Sequence, residues 1–324
     1  LTFFAIYLTF IAMSPVDVVF HLVPRFSMIS LYGALEPLRL ANRFAGQVFS
    51  WRFVSADGEP VSASNDIPVS VSGRLADVGR PTMLMVTASY EPEKGISKPT
   101  LVALRKLAAA KVLLAGMDTG PFILATAGVL DGYQATCHWE SLPGFRESFP
   151  RVQVRQSLFE VDRDRMTSAG GSSVIDMMLE WIRQRLGAAI AVTVADQLVH
   201  SRFTEQPGEA RIPAAERYGT RDARVLSCIA MMEEHTEEPR EIGELAIRAG
   251  ISVRQLERLF AATLKKRPMG FYLDLRLERA ERLINYSTLS VREVAVATGF
   301  SSLSQFSRSF KVKFGRPPSK WRKA

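Results

Sequence analysis

Apolar residues along the first two hundred positions fall into two rhythms. Continuous runs such as VDVVFHL (16–22) have no polar alternate and read as strands buried on both faces. Between such runs stand longer segments with apolar positions three and four apart, the spacing of a helix. SMISLYGALEPLRLANRFAG (27–46) is one, with Ser27 placed to cap it and Gly46 to stop it. The spacing then predicts strands at 48–55 and 82–87, a helix at 99–110, a strand at 111–115 and a helix at 119–129, closed by the turn sequence LDG. A strand at 133–138, a helix near 139–148 and strand-like stretches at 151–161 and 165–169 follow. Two helices, 172–186 and 188–203, end the series. Alternation of this kind predicts an α/β domain, a parallel sheet sandwiched between helices on both faces.

Residues 204–220 (TEQPGEARIPAAERYGT) are polar, contain two prolines and two glycines, and keep no period; they read as a linker. Beyond them the pattern is helical only, at 222–235, 241–249, 252–264, 268–286, 290–297 and 301–314. A first domain over 14–203 is therefore expected to be followed, after the linker, by an all-α domain over 221–324. The opening stretch LTFFAIYLTFIA is too short to span a bilayer and lacks a signal peptide's basic flank, so residues 1–13 are expected to be an extension outside the fold, and no membrane partner is expected.

Charge separates the same two halves. The chain carries 41 Lys+Arg against 33 Asp+Glu, a net +8. Residues 221–324 hold 20 of the basic and 12 of the acidic residues, so the whole excess lies there, and the first 220 residues balance at 21 each. A neutral domain joined to a basic one points to a polyanion for the second. Two isolated cysteines, Cys137 and Cys228, favour a reducing, cytoplasmic compartment without disulfides. The four histidines are scattered, no zinc spacing occurs, and neither metal nor cofactor is expected.

The basic third contains a degenerate repeat. ELAIRAGISVRQLERLFAATLKKRP (244–268) resembles EVAVATGFSSLSQFSRSFKVKFGRPP (293–318). In each copy a short helix runs into Gly (Gly250, Gly299), an apolar residue and Ser follow, and a second helix carries Arg two residues before Phe. The glycine suits a left-handed turn between crossed helices, and Ser252 and Ser301 are placed to cap the second helix. This is a helix-turn-helix written twice, joined by the helix at 268–286. A groove-entering helix needs an apolar stripe to anchor it and polar residues to read base edges. Val253, Leu256, Leu259 and Phe260 include the anchors of the first copy; Leu303, Phe306 and Phe310 are the apolar set of the second. Lys265, Lys266, Lys311, Lys313, Arg316 and Lys320 lie just beyond the second helices, where phosphate contacts are expected.

Residues 221–324 resemble the AraC/XylS DNA-binding domain, and GFSSLSQFSRSFKVKFGRPPSKWR (299–322) carries that family's signature almost throughout. The resemblance implies two recognition helices in successive major grooves of double-stranded promoter DNA. By position, its base readers are Arg254, Glu257 and Arg258, then Leu303, Ser304, Ser307 and Arg308. Leu303 departs from the polar residue common there and contacts a thymine methyl or nothing; Arg308 reads a base, holds phosphate or braces its helix.

The first domain supplies LLAGMDTGPFILATAGVLDGYQATCHW (113–139), a strand, a sharp elbow and a helix. It resembles the flavodoxin-like ThiJ/PfpI, class I glutamine amidotransferase-like fold, and more narrowly the sensor half of GlxA-type AraC regulators, as do EPLRLAN (36–42), ATCHW (135–139) and SAGGSSVIDMMLEWI (168–182). Enzymes of that superfamily place a cysteine at the elbow's apex; here Asp118 stands there, and the partner acid aligns with Ser30. Both losses speak against an enzyme, and no catalytic residue is assigned. Cys137, without an elbow, reads as a plain thiol. The elbow still marks a ligand pocket, with Ser30, Asp118, Thr119, His138 and Trp139 as candidate binding residues. Asp118 and Trp139 would suit a cation, and some GlxA-type regulators respond to quaternary amines or arginine; the plainer reading has Asp118 capping the helix that begins at Thr119. Gly170-Gly171-Ser172-Ser173 reads as a tight strand-to-helix turn, with an anion nest as the alternative. The stripe Met177, Met178, Trp181 and Ile182 packs the domain or a dimer contact.

The function expected is therefore a ligand-responsive, sequence-specific transcriptional regulator, an activator of a small-molecule metabolic operon. A homodimer is expected, with a small-molecule effector and RNA polymerase as further partners. The alternatives are a DNA-binding regulator whose first domain only dimerises, and an active amidase or glyoxalase-like enzyme tethered to DNA.

Overall fold

A computed structural model describes residues 15–200, 218–287 and 289–321. The extension at 1–13, most of the linker and the end of the helix expected to reach 203 lie outside the described residues. The chain divides into two compact units. One takes the described residues up to His138 and those from Arg151 to residue 200; the other takes Trp139–Pro150 and the described residues from 218 onward.

The first unit opens with β1 (Val16–Leu22), α1 (Met28–Ala45) and β2 (Phe49–Val54), and adds a small hairpin, β3 (Val61–Ser62) with β4 (Pro68–Val69). Then come β5 (Met83–Ala88), α2 (Lys98–Ala109), β6 (Leu113–Asp118), α3 (Gly120–Thr126) and β7 (Gln134–Ala135). After α4 (Leu142–Ser148) the chain continues through β8 (Gln153–Val154), β9 (Phe159–Asp162), β10 (Arg165–Ser168), α5 (Ser173–Leu186) and α6 (Ala188–Gln197). Six strands form one sheet in the order β2-β1-β5-β6-β10-β9. The first five run parallel, and the central β1, β5 and β6 are largely apolar on both faces, as strands covered on both sides must be. β9 differs from the all-parallel expectation: it turns straight back into β10 through Arg163, at φ 55°, and pairs antiparallel at the edge.

One face of the sheet, with Phe20, Leu22, Met85 and Met117, packs against α1 and α5. Met177, Met178, Trp181 and Ile182 are buried in this core, Trp181 lying 5.3 Å from Phe49 between ring centroids. The stripe therefore packs the domain. At the outer edge of β2, polar groups are satisfied locally. Asn42 of α1 accepts from Phe49 N (2.8 Å) and donates to Phe49 O (2.7 Å), Ser72 N donates to Phe53 O (2.8 Å), and Leu75 N donates to Ser55 O (2.8 Å).

The second unit is helical beyond the linker: α7 (Ala223–Glu234), α8 (Ile242–Arg248), α9 (Val253–Leu264), α10 (Pro268–Tyr286), α11 (Val291–Ala297) and α12 (Leu303–Phe314). α8–α9 and α11–α12 are the two expected helix-turn-helix pairs, with Gly250 (φ 71°) and Gly299 (φ 74°) in the left-handed turns. Ser252 caps α9 in a reciprocal box with Gln255. In the second copy the cap is Ser302, which accepts from Gln305 N, and not Ser301. The second turn holds one residue more, so the repeat is 49 residues on its first helices and 50 on its second. Two separate apolar cores result. Phe271, Tyr272 and Leu275 of α10 join Leu256 and Phe260 in one; Leu277, Ala280, Leu283 and Ile284 join Phe306 and Phe310 in the other.

Candidate functional site

The elbow is built by the end of β6. Asp118 is the last strand residue, and its backbone stands at φ 62°, a left-handed conformation that costs a non-glycine residue about 1–3 kcal/mol. Its carbonyl accepts from His138 N at 3.0 Å, tying the strand end to the chain leaving β7. The N-cap position of the following helix is Thr119, whose hydroxyl donates to Ser89 O and accepts no cap bond from the helix amides. Asp118 and Thr119 are both buried, and His138 is half-buried.

A second turn presses on this one. Gly170, at φ 83°, passes so close to Asp118 that a Cβ there would lie 2.7 Å from the Asp118 Cβ. Gly171 N donates to Ser30 Oγ (3.0 Å), Gly170 N donates to Ser168 Oγ (3.0 Å), and Ser173 Oγ donates to Gly170 O (2.7 Å). The two glycine amides are thus taken by neighbouring hydroxyls, and the double glycine forms a strand-to-helix turn. Through that turn Ser30, fully buried on α1, is linked to the elbow. Ser30, Asp118, Thr119 and His138 gather at the carboxyl ends of the parallel strands, where such sheets bind ligands. Trp139, the residue after His138, is counted with the second unit, where the Arg282 guanidinium stands 5.9 Å from its ring centroid. Cys137 is fully buried, as is Cys228, whose thiol burial pushes up to about 11. Among the described residues no three His, Cys, Asp or Glu side chains form a group that could hold a metal ion.

On the second unit the candidate base readers occupy two matched helix faces. Arg254, Glu257 and Arg258 are exposed on α9 while Leu256 and Phe260 on its opposite face are buried. Ser304 and Arg308 are exposed and Ser307 half-buried on α12, over buried Phe306 and Phe310. Leu303 is 46% exposed, so it anchors nothing in the core. Of the four apolar residues that include the anchors of the first copy, Val253 is 41% exposed at the first position of α9. The 50-residue offset, which sets Val253 against Leu303, was the signal that distinguishes it. Of the expected phosphate contacts, Lys265, Lys311, Arg316 and Lys320 are exposed. Lys266, also exposed, and Lys313, half-buried, both pair with Asp274 of α10.

Comparison with known proteins bears on both units. Residues 245–324 match the family described as a helix-turn-helix domain. Over 303 residues the chain is 44% identical to the HTH-type transcriptional regulator CdhR of Pseudomonas aeruginosa, covering 94% of this chain and 90% of that one. It is 35% identical over 309 residues to the HTH-type transcriptional regulator GlxA of Rhizobium meliloti, covering 94% of each. The chain belongs to the GlxA-type AraC/XylS regulators. The first unit of this regulator has the ThiJ/PfpI-like fold. A solved AraC family transcriptional regulator from Pseudomonas putida matches 57% of the chain and all of its own, with a TM-score of 0.54 and 28% identity. Among the described residues, no helix of the regulator is long and apolar enough to cross a membrane.

Proposed function

We propose that the regulator senses a small cationic metabolite, an amino acid or a quaternary amine, at the elbow of the first unit and so alters promoter binding by the second. The observation that carries this reading is the buried, backbone-strained Asp118 at the superfamily's nucleophile position. A carboxylate there is a poor nucleophile, yet it is well suited to pair with a cation, with the hydroxyls of Ser30 and Thr119 and the His138 ring as further polar groups. We assign no catalytic residue. Arg254, Glu257, Arg258, Leu303, Ser304, Ser307 and Arg308 are the proposed base readers, and an arginine gripping guanine discriminates by about 1–3 kcal/mol. A homodimer would set two such units on repeated half-sites, with RNA polymerase recruited by an activator. The effector acts only through a difference in affinity between two states of the protein.

The test is Asp118→Asn in the full-length protein, against a panel of amino acids and betaines followed by calorimetry. A charge-assisted bond contributes about 1.5–3 kcal/mol, so the affinity of the compound bound by the wild type should fall about 10- to 150-fold while unliganded DNA affinity holds. An unchanged response would remove the elbow as the sensor and favour the reading in which the first unit only dimerises.

A further inference from the structure

The two helix-turn-helix pairs share the helix α10 but no buried apolar residue. Phe271, Tyr272 and Leu275 face one core, and Leu277 onward faces the other. Two bundles strung on one helix would be free to twist about it unless something else crosses the seam; here Gly299 packs closely against Pro239, and polar side chains cross beside it. Asp274 lies where α10 changes cores. Its Oδ2 accepts from Lys266 Nζ, in the turn that follows α9. Its Oδ1 accepts from Lys313 Nζ at 2.8 Å, in the last turn of α12, and the same ammonium reaches Glu278 Oε1 at 2.9 Å. One carboxylate therefore ties the trailing ends of both recognition helices to the helix between them. Elsewhere on the seam, Arg276 donates to Thr298 O (2.8 Å) and Gly299 O (2.6 Å), and Arg279 donates to Thr236 Oγ1.

We infer that Asp274 is a positioning residue: by holding Lys266 and Lys313 it sets the separation of the two recognition helices and withholds both lysines from DNA phosphate. The inference rests on the DNA-binding reading of this unit. Its physical content is a division of labour among basic residues. Lys265, Lys311, Arg316 and Lys320 are exposed for the sugar–phosphate backbone, whereas the Lys313 side chain is only 20% exposed and faces two carboxylates. Each phosphate contact on duplex DNA steepens the dependence of log affinity on log salt by about 0.9. Two lysines committed to Asp274 are missing from that slope, and an operator whose base blocks are moved apart cannot be followed by a locked pair of helices.

The experiment selects a preferred duplex from random sequence with the full-length wild-type protein. It then measures affinity against salt, and against duplexes with one base pair inserted between the two read blocks, for wild type, Lys266→Met and Asp274→Asn. Lys266→Met should keep the wild-type salt slope while reducing the penalty for the insertion. Asp274→Asn should steepen the slope by up to about 1.8 and reduce that penalty further. A slope that falls by about 0.9 in Lys266→Met would make Lys266 a phosphate contact and overturn the inference. So would an Asp274→Asn protein with native circular dichroism whose slope and insertion penalty match the wild type. Should Asp274→Asn lose that spectrum, Lys266→Met decides alone, because its lysine is exposed. A wild type that selects no duplex fails the DNA-binding reading itself, a distinct result.

Discussion

Gly170→Ala probes the join between the two turns of the elbow. The position stands at φ 83°, where an alanine is strained by about 1–2 kcal/mol. Its new methyl would also lie 2.7 Å from Asp118 Cβ, 2.9 Å from Cγ and 3.0 Å from Cα. Overpacking of that kind costs a further ~1–3 kcal/mol, giving about 2–5 kcal/mol in all. Two of those three contacts are side-chain atoms of Asp118, so Asp118→Gly should remove most of the overpacking and leave the backbone cost. The four proteins of this cycle, unfolded in urea and followed by tryptophan fluorescence, should show Gly170→Ala costing about 1–3 kcal/mol less in the Asp118→Gly background. Additive effects would mean that the two turns do not touch as described, and the elbow would lose its claim to be a preformed site.

The remaining predictions concern the turn glycines and one buried ring. Gly250 and Gly299 both stand in left-handed turns, but a Cβ at Gly250 meets open space whereas one at Gly299 would lie 2.6 Å from Pro239 Cγ and 2.8 Å from Thr236 O. Gly299→Ala should therefore destabilise the second unit by about 1–3 kcal/mol more than Gly250→Ala, read by thermal melting, and equal shifts would refute the close approach. His21 on β1 is fully buried, and burial lowers its pKa from 6.5 to about 4. The unfolded chain takes up this proton below pH 6.5 and the folded one only near 4, so stability is lost as pH falls through that window, by roughly 3 kcal/mol. In His21→Leu the drop in stability between pH 7 and pH 4 should shrink by that amount in urea titrations; an unchanged drop would place the ring in contact with water.

Much of this was legible because it depends on local rhythm. The unbroken apolar runs gave β1, β5 and the start of β6, and the doubled Gly–Ser turn gave both helix-turn-helix pairs. What escaped depends on partners far along the chain. β6 runs on to Asp118, past Gly116, which sits inside the sheet where a Cβ would lie 2.9 Å from Pro121 N of the next helix. Ser301 and Ser302 are equal as caps in sequence, and only the extra residue in the second turn decides between them. The pairing of Lys266 and Lys313 with Asp274 escaped because that carboxylate lies 8 and 39 residues away on another helix. Which of Val253, Leu256, Leu259 and Phe260 are anchors stayed open because apolar spacing alone does not separate a buried position from an exposed one at the start of the helix.

The partly covered flank of β2 has a bearing on how two such molecules could meet. Proteins that pair by running one continuous sheet across a twofold axis require a bare outer strand with open amides and carbonyls. Here Asn42, Ser72 and Leu75 have already taken the groups at Phe49, Phe53 and Ser55. A twin arriving from that side would find the main-chain groups at those three residues already engaged, and so less of a ladder to extend than an uncovered strand offers.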